Sequence, residues 1–178
     1  VSTAIRINPD IEATTIDKIN TSKRGVKFGI SVATLKANFA HIQTLKNVQV
    51  IGVDIHIGSQ ILESAPFVAA YKVVAEVVKD LRATGFDITT VDIGGGYGIP
   101  YDKSKGGFDI DGYKQNAAPI LKSMDAKVVI GPGRFIMAES GALLMNVEYI
   151  KKEWDKNFVI VDGGMNDYVR VAMYEAYN

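Results

Sequence analysis

Three short runs in the sequence carry groups suited to an anionic ligand. His56-Ile57-Gly58-Ser59-Gln60 supplies a flat imidazole and, three residues on, a hydroxyl that can donate to an oxyanion. Gly94-Gly95-Gly96-Tyr97-Gly98 supplies consecutive backbone N–H groups with no side chain in front of them, the makings of an anion nest. Gly131-Pro132-Gly133-Arg134 ends in a guanidinium, a planar fork matched to phosphate or carboxylate. Each run also has a plain structural reading: a core histidine satisfied by backbone, a flexible hinge, a surface arginine on a tight turn. The glycine run lacks the Gly-x-Gly-x-x-Gly spacing of a dinucleotide fingerprint. A loop rich in Gly, Lys and Asp, from Ile99 to Asp109, follows it before the next helix. Placement is what gives the three runs weight. Each follows an apolar, strand-like segment, and (β/α)₈ enzymes put their sites at the C-terminal ends of strands. His41, the chain's other histidine, falls inside a helical pattern and reads as a surface residue.

The segments that must position these runs alternate between strand and helix patterns. Ala4-Ile5-Arg6-Ile7 reads as a strand stopped by the turn cluster Asn8-Pro9-Asp10. Ser31 is placed to cap one helix bearing Val32, Leu35, Phe39 and Ile42 at steps of three and four. Val48 to His56 is a strand, and Ala65 to Leu81 a long helix with Val68, Tyr71, Val74, Val78 and Leu81 on its apolar face, ended by Gly85. Ile88 to Ile93 is the next strand, Ile110 to Met124 a helix and Lys127 to Ile130 a strand. Such alternation predicts βαβ crossovers feeding a parallel sheet. After Gly141 the rhythm changes: Leu143 to Ile150 and Phe158 to Val161 are strand-like with no long helix between, which predicts an antiparallel pair. A boundary near Ala138 to Gly141 divides residues 1–140 from 141–178.

Composition narrows the function classes. The 178 residues are 47% hydrophobic and 22% charged, close to the soluble globular average, so a real core is expected. Lys+Arg and Asp+Glu both number 20, so no basic surface for nucleic acid is indicated. With no cysteine, a disulfide framework and thiolate metal sites are excluded. No apolar run approaches the roughly 18 residues that span a bilayer. A small-molecule enzyme of the cytoplasm, with no nucleic acid and no membrane partner, is the expectation.

The order Arg6-Ile7-Asn8-Pro9, Lys27-Phe28-Gly29, His56-Ile57-Gly58-Ser59-Gln60, Asp92-Ile93-Gly94-Gly95-Gly96, Pro132-Gly133-Arg134 and Asp162-Gly163-Gly164-Met165 resembles, end to end, the diaminopimelate decarboxylase family. These are alanine-racemase-like (fold type III) enzymes of pyridoxal 5′-phosphate (PLP), alongside ornithine and arginine decarboxylases. The resemblance implies an α/β fold: the C-terminal half of a PLP-binding (β/α)₈ TIM-type barrel over residues 1–140, then the start of a β-rich C-terminal domain. A full barrel takes about 250 residues. His56 would stack on the PLP ring. Ser59, Gly96 and Gly133 would hold the phosphate, with Gly94, Gly95, Gly131 and Pro132 in the same cofactor-binding loops. Arg134 would meet the substrate carboxylate or sit beside the phosphate. Arg170 and Tyr174, in Arg-Val-Ala-Met-Tyr, would grip the distal end of the amino-acid substrate. The implied reaction converts meso-diaminopimelate to L-lysine in a homodimer, with another basic amino acid or a carboxylated polyamine as the alternative substrate.

Departures from the family are as informative. The lysine that forms the Schiff base and the cysteine supplied across the dimer interface have no match here, so no catalytic residue is assigned and the chain alone is expected to be inactive. Leu35-Lys36-Ala37-Asn38 imitates the lysine motif, but it lies in an amphipathic helix and reads as a helix lysine. Gly131 stands where the family has the Glu that pairs with the pyridinium nitrogen. Losing one charge-assisted hydrogen bond of about 1.5–3 kcal/mol predicts a rate loss on the order of tenfold to a hundredfold. A module that binds PLP or phosphate without chemistry is therefore the second reading. Asp54, where relatives often carry His or another residue, is a lesser departure.

Overall fold

A computed structural model describes residues 1–11, 25–102, 104 and 106–174. In the loop from Ile99 to Asp109, Lys103 and Lys105 lie outside the described residues, as does the side chain of Tyr174. The chain divides into two compact units, Val1–Ala138 and Glu139–Asn178.

In the first unit, β1 (Ser2–Asn8), β2 (Ile30–Ser31), β3 (Gln49–Asp54), β4 (Thr90–Asp92) and β5 (Lys127–Val129) form one sheet in the order β2-β1-β3-β4-β5. Every neighbouring pair is parallel, as the strand–helix alternation predicts. The register aligns Arg6 with Asp54, Asp54 with Asp92 and Asp92 with Val129. It likewise aligns Ile5, Val53, Val91 and Val128. Because side chains alternate along a strand, Ile7, Val53, Ile55, Val91 and Ile93 share one face and are buried in the core. Arg6, Asp54, His56 and Asp92 stand on the other face, only half-buried.

The helix α3 (Ala65–Ala83) covers the apolar face. Its buried residues Phe67, Ala70, Tyr71, Val74, Val77, Val78 and Leu81 recur at the helical spacing that makes one stripe. It ends in a Schellman motif: Gly85 N–H donates to the Arg82 carbonyl (3.0 Å) and Phe86 N–H to the Leu81 carbonyl (3.1 Å). Gly85 takes φ +95°, the left-handed value that suits glycine. The helix α4 (Ile110–Ser123) is capped by Asp109, whose carboxylate accepts from Gly112 N–H at 2.9 Å.

Several boundaries differ from the sequence reading. The single helix expected after Ser31 is two, α1 (Val32–Ala37) and α2 (Phe39–Gln43). Ser31 caps α1, accepting from Thr34 N–H. Asn38 makes the break: its side-chain amide donates to the Thr34 carbonyl (2.8 Å), the acceptor its own N–H would use, and that N–H turns to Leu35 instead (3.0 Å). The two-residue β2 and the short α5 (Gly133–Met137) are additional elements, too brief to leave a periodic signal. In the second unit, β6 (Val147–Glu153) and β7 (Lys156–Val161) pair antiparallel as expected, although β6 starts later than Leu143. The helix α6 (Arg170–Tyr174) follows.

Candidate functional site

The ladder between strands does not stop where the strands end. Ile55 N–H donates to the Asp92 carbonyl (2.9 Å), Ile93 N–H to Val129 (3.0 Å) and Gly131 N–H to Gly94 (2.7 Å). The loops after β3, β4 and β5 are thereby carried side by side past the edge of the sheet. At that height the backbones touch directly. A side chain added at Gly95 would press on the Gly131 carbonyl oxygen, and one at Gly96 on the Gly58 carbonyl oxygen. Farther out, Ile61 N–H donates to Gly96 and Gly98 N–H to Ile61, both at 2.9 Å. The glycines are required here because neighbouring loops fill the space a Cβ would take.

His56, Ser59, Gly94, Gly95, Gly96, Gly131, Pro132, Gly133 and Arg134 thus lie in three adjacent loops at one end of the sheet. The amides are not all available to a ligand, which corrects the expectation of an open anion nest. Gly94 N–H donates to its own strand's Asp92 carboxylate (2.9 Å), and Gly95 N–H to Nδ1 of His56 (3.4 Å). An accepting Nδ1 places the imidazole proton on Nε2. Burial, then the positive charge of Arg6, holds the His56 pKa below its ordinary 6.5, against a smaller opposing pull from Asp92. His56 is therefore a neutral, half-buried ring at neutral pH. In the neighbouring position Asp54 forms a long ion pair with Arg6 (3.7 Å), yet burial outweighs that partner and, with Asp92 adding, raises the Asp54 pKa.

Arg134 ties the three loops together. Its Nη1 donates to the Tyr101 hydroxyl (3.0 Å) and to Oε1 of Gln60 (3.4 Å), and its guanidinium lies over the Tyr101 ring, 6.0 Å from the centroid. Gln60 in turn clamps Ile99, donating to its carbonyl (2.6 Å) and accepting from its N–H (3.3 Å). Gln60 stood within a quoted motif without a role, and Tyr101 carried no motif. Only the pairing across the fold reveals them.

At Gly133 the backbone faces open space, with nothing within 4 Å of an added Cβ, and at Gly131 the nearest atom would be the Gly94 carbonyl oxygen at 3.8 Å. A flat neutral imidazole, backbone amides, a serine hydroxyl and a fixed guanidinium around this corner form a donor set that fits a phosphorylated aromatic cofactor. Among the described residues no lysine joins that set. Lys36 lies on α1 and pairs with Asp80 of α3 at 2.5 Å, in the helical layer. Arg170 and Tyr174 belong to the second unit. Among the described residues no group of His, Cys, Asp and Glu suited to a metal occurs, and no helix is long and apolar enough to cross a membrane.

Comparison with known proteins gives this geometry a context. Residues 2–138 match the family model described as pyridoxal-dependent decarboxylase, pyridoxal binding domain. The diaminopimelate decarboxylase of Aquifex aeolicus is 37% identical over 98% of this chain and 42% of its own length. That of Campylobacter jejuni is 36% identical over 98% of the chain and 44% of its own length. A crystal structure of diaminopimelate decarboxylase from Helicobacter pylori complexed with L-lysine superposes with a TM-score of 0.91 at 38% identity, covering 99% of this chain and 44% of that one. The chain spans less than half the length of the curated relatives it matches.

Proposed function

The chain belongs to the pyridoxal-dependent decarboxylases through their pyridoxal binding domain, and on that premise we propose that it forms the phosphate-holding part of a diaminopimelate decarboxylase, converting meso-diaminopimelate to L-lysine. The observation that carries this reading is the interlocked corner itself, where loops from three successive parallel strands bring His56, Ser59, the glycine run and Arg134 together. Within that corner the Ser59 hydroxyl and the Gly96 amide would hold the cofactor phosphate, while Gly133, whose own N–H donates to the Gly131 carbonyl (2.8 Å), would line the cup beside it. The neutral His56 ring would stack on the pyridine. Bound in this corner, PLP would supply the electron sink that decarboxylation needs. Arg134, steadied by Tyr101 and Gln60, presents a permanent positive charge to a carboxylate or to the phosphate. Arg170 and Tyr174 would meet the far end of the substrate. The five strands are read as an arc of a (β/α)₈ barrel, with residues 1–140 in that barrel and 141–178 opening a β-rich domain. A homodimer working in the cytoplasm completes the proposal, which the family resemblance supports.

Gly131 favours a second reading, a domain that binds PLP without efficient chemistry. The two separate in one experiment on the full-length protein: lysine formation from meso-diaminopimelate with PLP present, in wild type and in Gly131→Glu. A Cβ added at Gly131 meets nothing closer than the Gly94 carbonyl oxygen at 3.8 Å. Slow wild-type turnover, raised on the order of tenfold to a hundredfold by the carboxylate, supports the decarboxylase. PLP binding with no lysine formed by either protein would leave only the binding module.

A further inference from the structure

Between Ile93 and Ile99 the chain carries a single side chain, that of Tyr97. The ring is buried, 7% exposed, and stacks on Phe67 of α3 with centroids 4.9 Å apart and planes 18° apart. Phenylalanine would satisfy that packing equally well. The hydroxyl does something packing does not require. It lies 3.3 Å from the Tyr71 hydroxyl on α3 and 3.0 Å from the Tyr113 hydroxyl on α4, and those two are 2.9 Å apart. Three hydroxyls at these separations close a ring in which each donates once and accepts once. Whichever way its donors run, the ring holds the three oxygens together, and its members polarise one another. Burial raises the pKa of both Tyr71 and Tyr97 well above the ordinary tyrosine value, so both hydroxyls stay protonated wherever the fold survives.

We infer that the Tyr71–Tyr97–Tyr113 hydroxyl ring is a positioning device, setting the glycine loop at the height from which Gly96 meets the cofactor phosphate. The loop has glycine at four of its five positions and cannot grip the helical layer by any other side chain of its own. Tyr97 is bonded directly to Gly96, so wherever the two helices hold the phenol tip, the Gly96 amide follows. On the opposite side the loop is tied to Ile61 by backbone bonds alone. The inference rests on the reading of this corner as a phosphate site.

The topology of the ring gives a test that ordinary destabilisation would not mimic. Tyr97→Phe cuts both bonds to the loop, while Tyr71→Phe or Tyr113→Phe each leaves one intact; the double variant Tyr71→Phe/Tyr113→Phe cuts both again. In the full-length protein, PLP affinity is titrated by absorbance, and amide exchange is followed across residues 92–101. Tyr97→Phe and the double variant are expected to weaken PLP on the order of fivefold to tenfold and to speed exchange of the loop. Each of the other single variants is expected to stay within about threefold of wild type. Affinity that instead follows the melting temperature across all four variants would overturn the positioning role. So would equal affinities for Tyr97→Phe and Tyr71→Phe. A wild-type protein that takes up no PLP would overturn the proposed function and this role together, whereas normal wild-type uptake with an unaffected Tyr97→Phe would overturn this role alone.

Discussion

Gly95 and Gly133 stand in the same corner and answer to different demands. Gly95 is hemmed in by the Gly131 backbone, whereas Gly133 faces open space. Gly95→Ala is therefore expected to destabilise by about 1–3 kcal/mol, the usual range for forcing atoms into a filled site, measured by urea denaturation. Gly133→Ala is expected to stay within about 0.5 kcal/mol of wild type and to lose PLP affinity instead, read by titration. The charged residues of the open face give a second contrast, in pH. His56 has a folded pKa below its unfolded one, so the stability it contributes is complete above 6.5 and is lost as pH falls from there through the folded value. Asp54 has a folded pKa above its unfolded one, so at neutral pH its ionised form opposes folding. Melting curves should show Asp54→Asn raising Tm at pH 7, and His56→Gln flattening the fall in Tm on the acid side of neutrality. The sequence displayed the site's loops but not the bonds made within them. Gly94 and Gly95 donate inward, to Asp92 and His56, and no local pattern announces that. Nor could spacing connect Arg134 with Gln60, 74 positions away.

The long helix α3 was legible because an apolar stripe of several turns and a glycine terminator agree with each other. The break at Asn38 was not, because it depends on one amide side chain outcompeting its own backbone for the Thr34 carbonyl. Strands β3, β4 and β5 were read too long, since apolar residues such as Ile55 and Ile93 continue the pattern beyond the regular ladder, whereas β1 and β7 run past the apolar residues that marked them and were read too short. At this scale Arg82 is the fastening that matters. From the last turn of α3 it donates to the carbonyls of Ile88 (2.6 and 3.2 Å), Met124 (2.6 Å) and Asp125 (3.0 Å), joining α3 to the segments that lead into β4 and β5. A lysine has no fork to span these acceptors. Arg82→Lys is expected to lower stability by about 2 kcal/mol, as for loss of charge-assisted bonds, visible as an earlier urea midpoint with an unchanged slope. Lys36→Ala, which removes an exposed ion pair with Asp80, should cost no more than about 0.5 kcal/mol and leave PLP binding as it was.

Taken whole, the first unit has helices over one face of its sheet and an open second face bearing Arg6, Asp54, His56 and Asp92. Ile130, just past the edge strand β5, is 53% exposed, and Val128 within that strand is 37% exposed. In the second unit Val147, Tyr149, Ile150 and Val159 of the hairpin are all more than half exposed. Uncovered strand edges and apolar surface on this scale favour association. The 178-residue segment expressed by itself is expected to self-associate or melt without a sharp transition, while the full-length protein gives one. Size-exclusion chromatography with calorimetry checks this, and a monomeric, sharply melting segment would contradict it.

The backbone contacts between neighbouring loops also bear on how such a site changes over generations. Gly95 lies against the Gly131 carbonyl and Gly96 against that of Gly58, so a lineage cannot add bulk at Gly95 or Gly96 unless the facing loop withdraws in the same step. Single substitutions are thereby channelled outward, to Ser59, Gly133 and Arg134 at the loop tips. Ligand affinity can be tuned there one mutation at a time, over a floor that drift leaves alone.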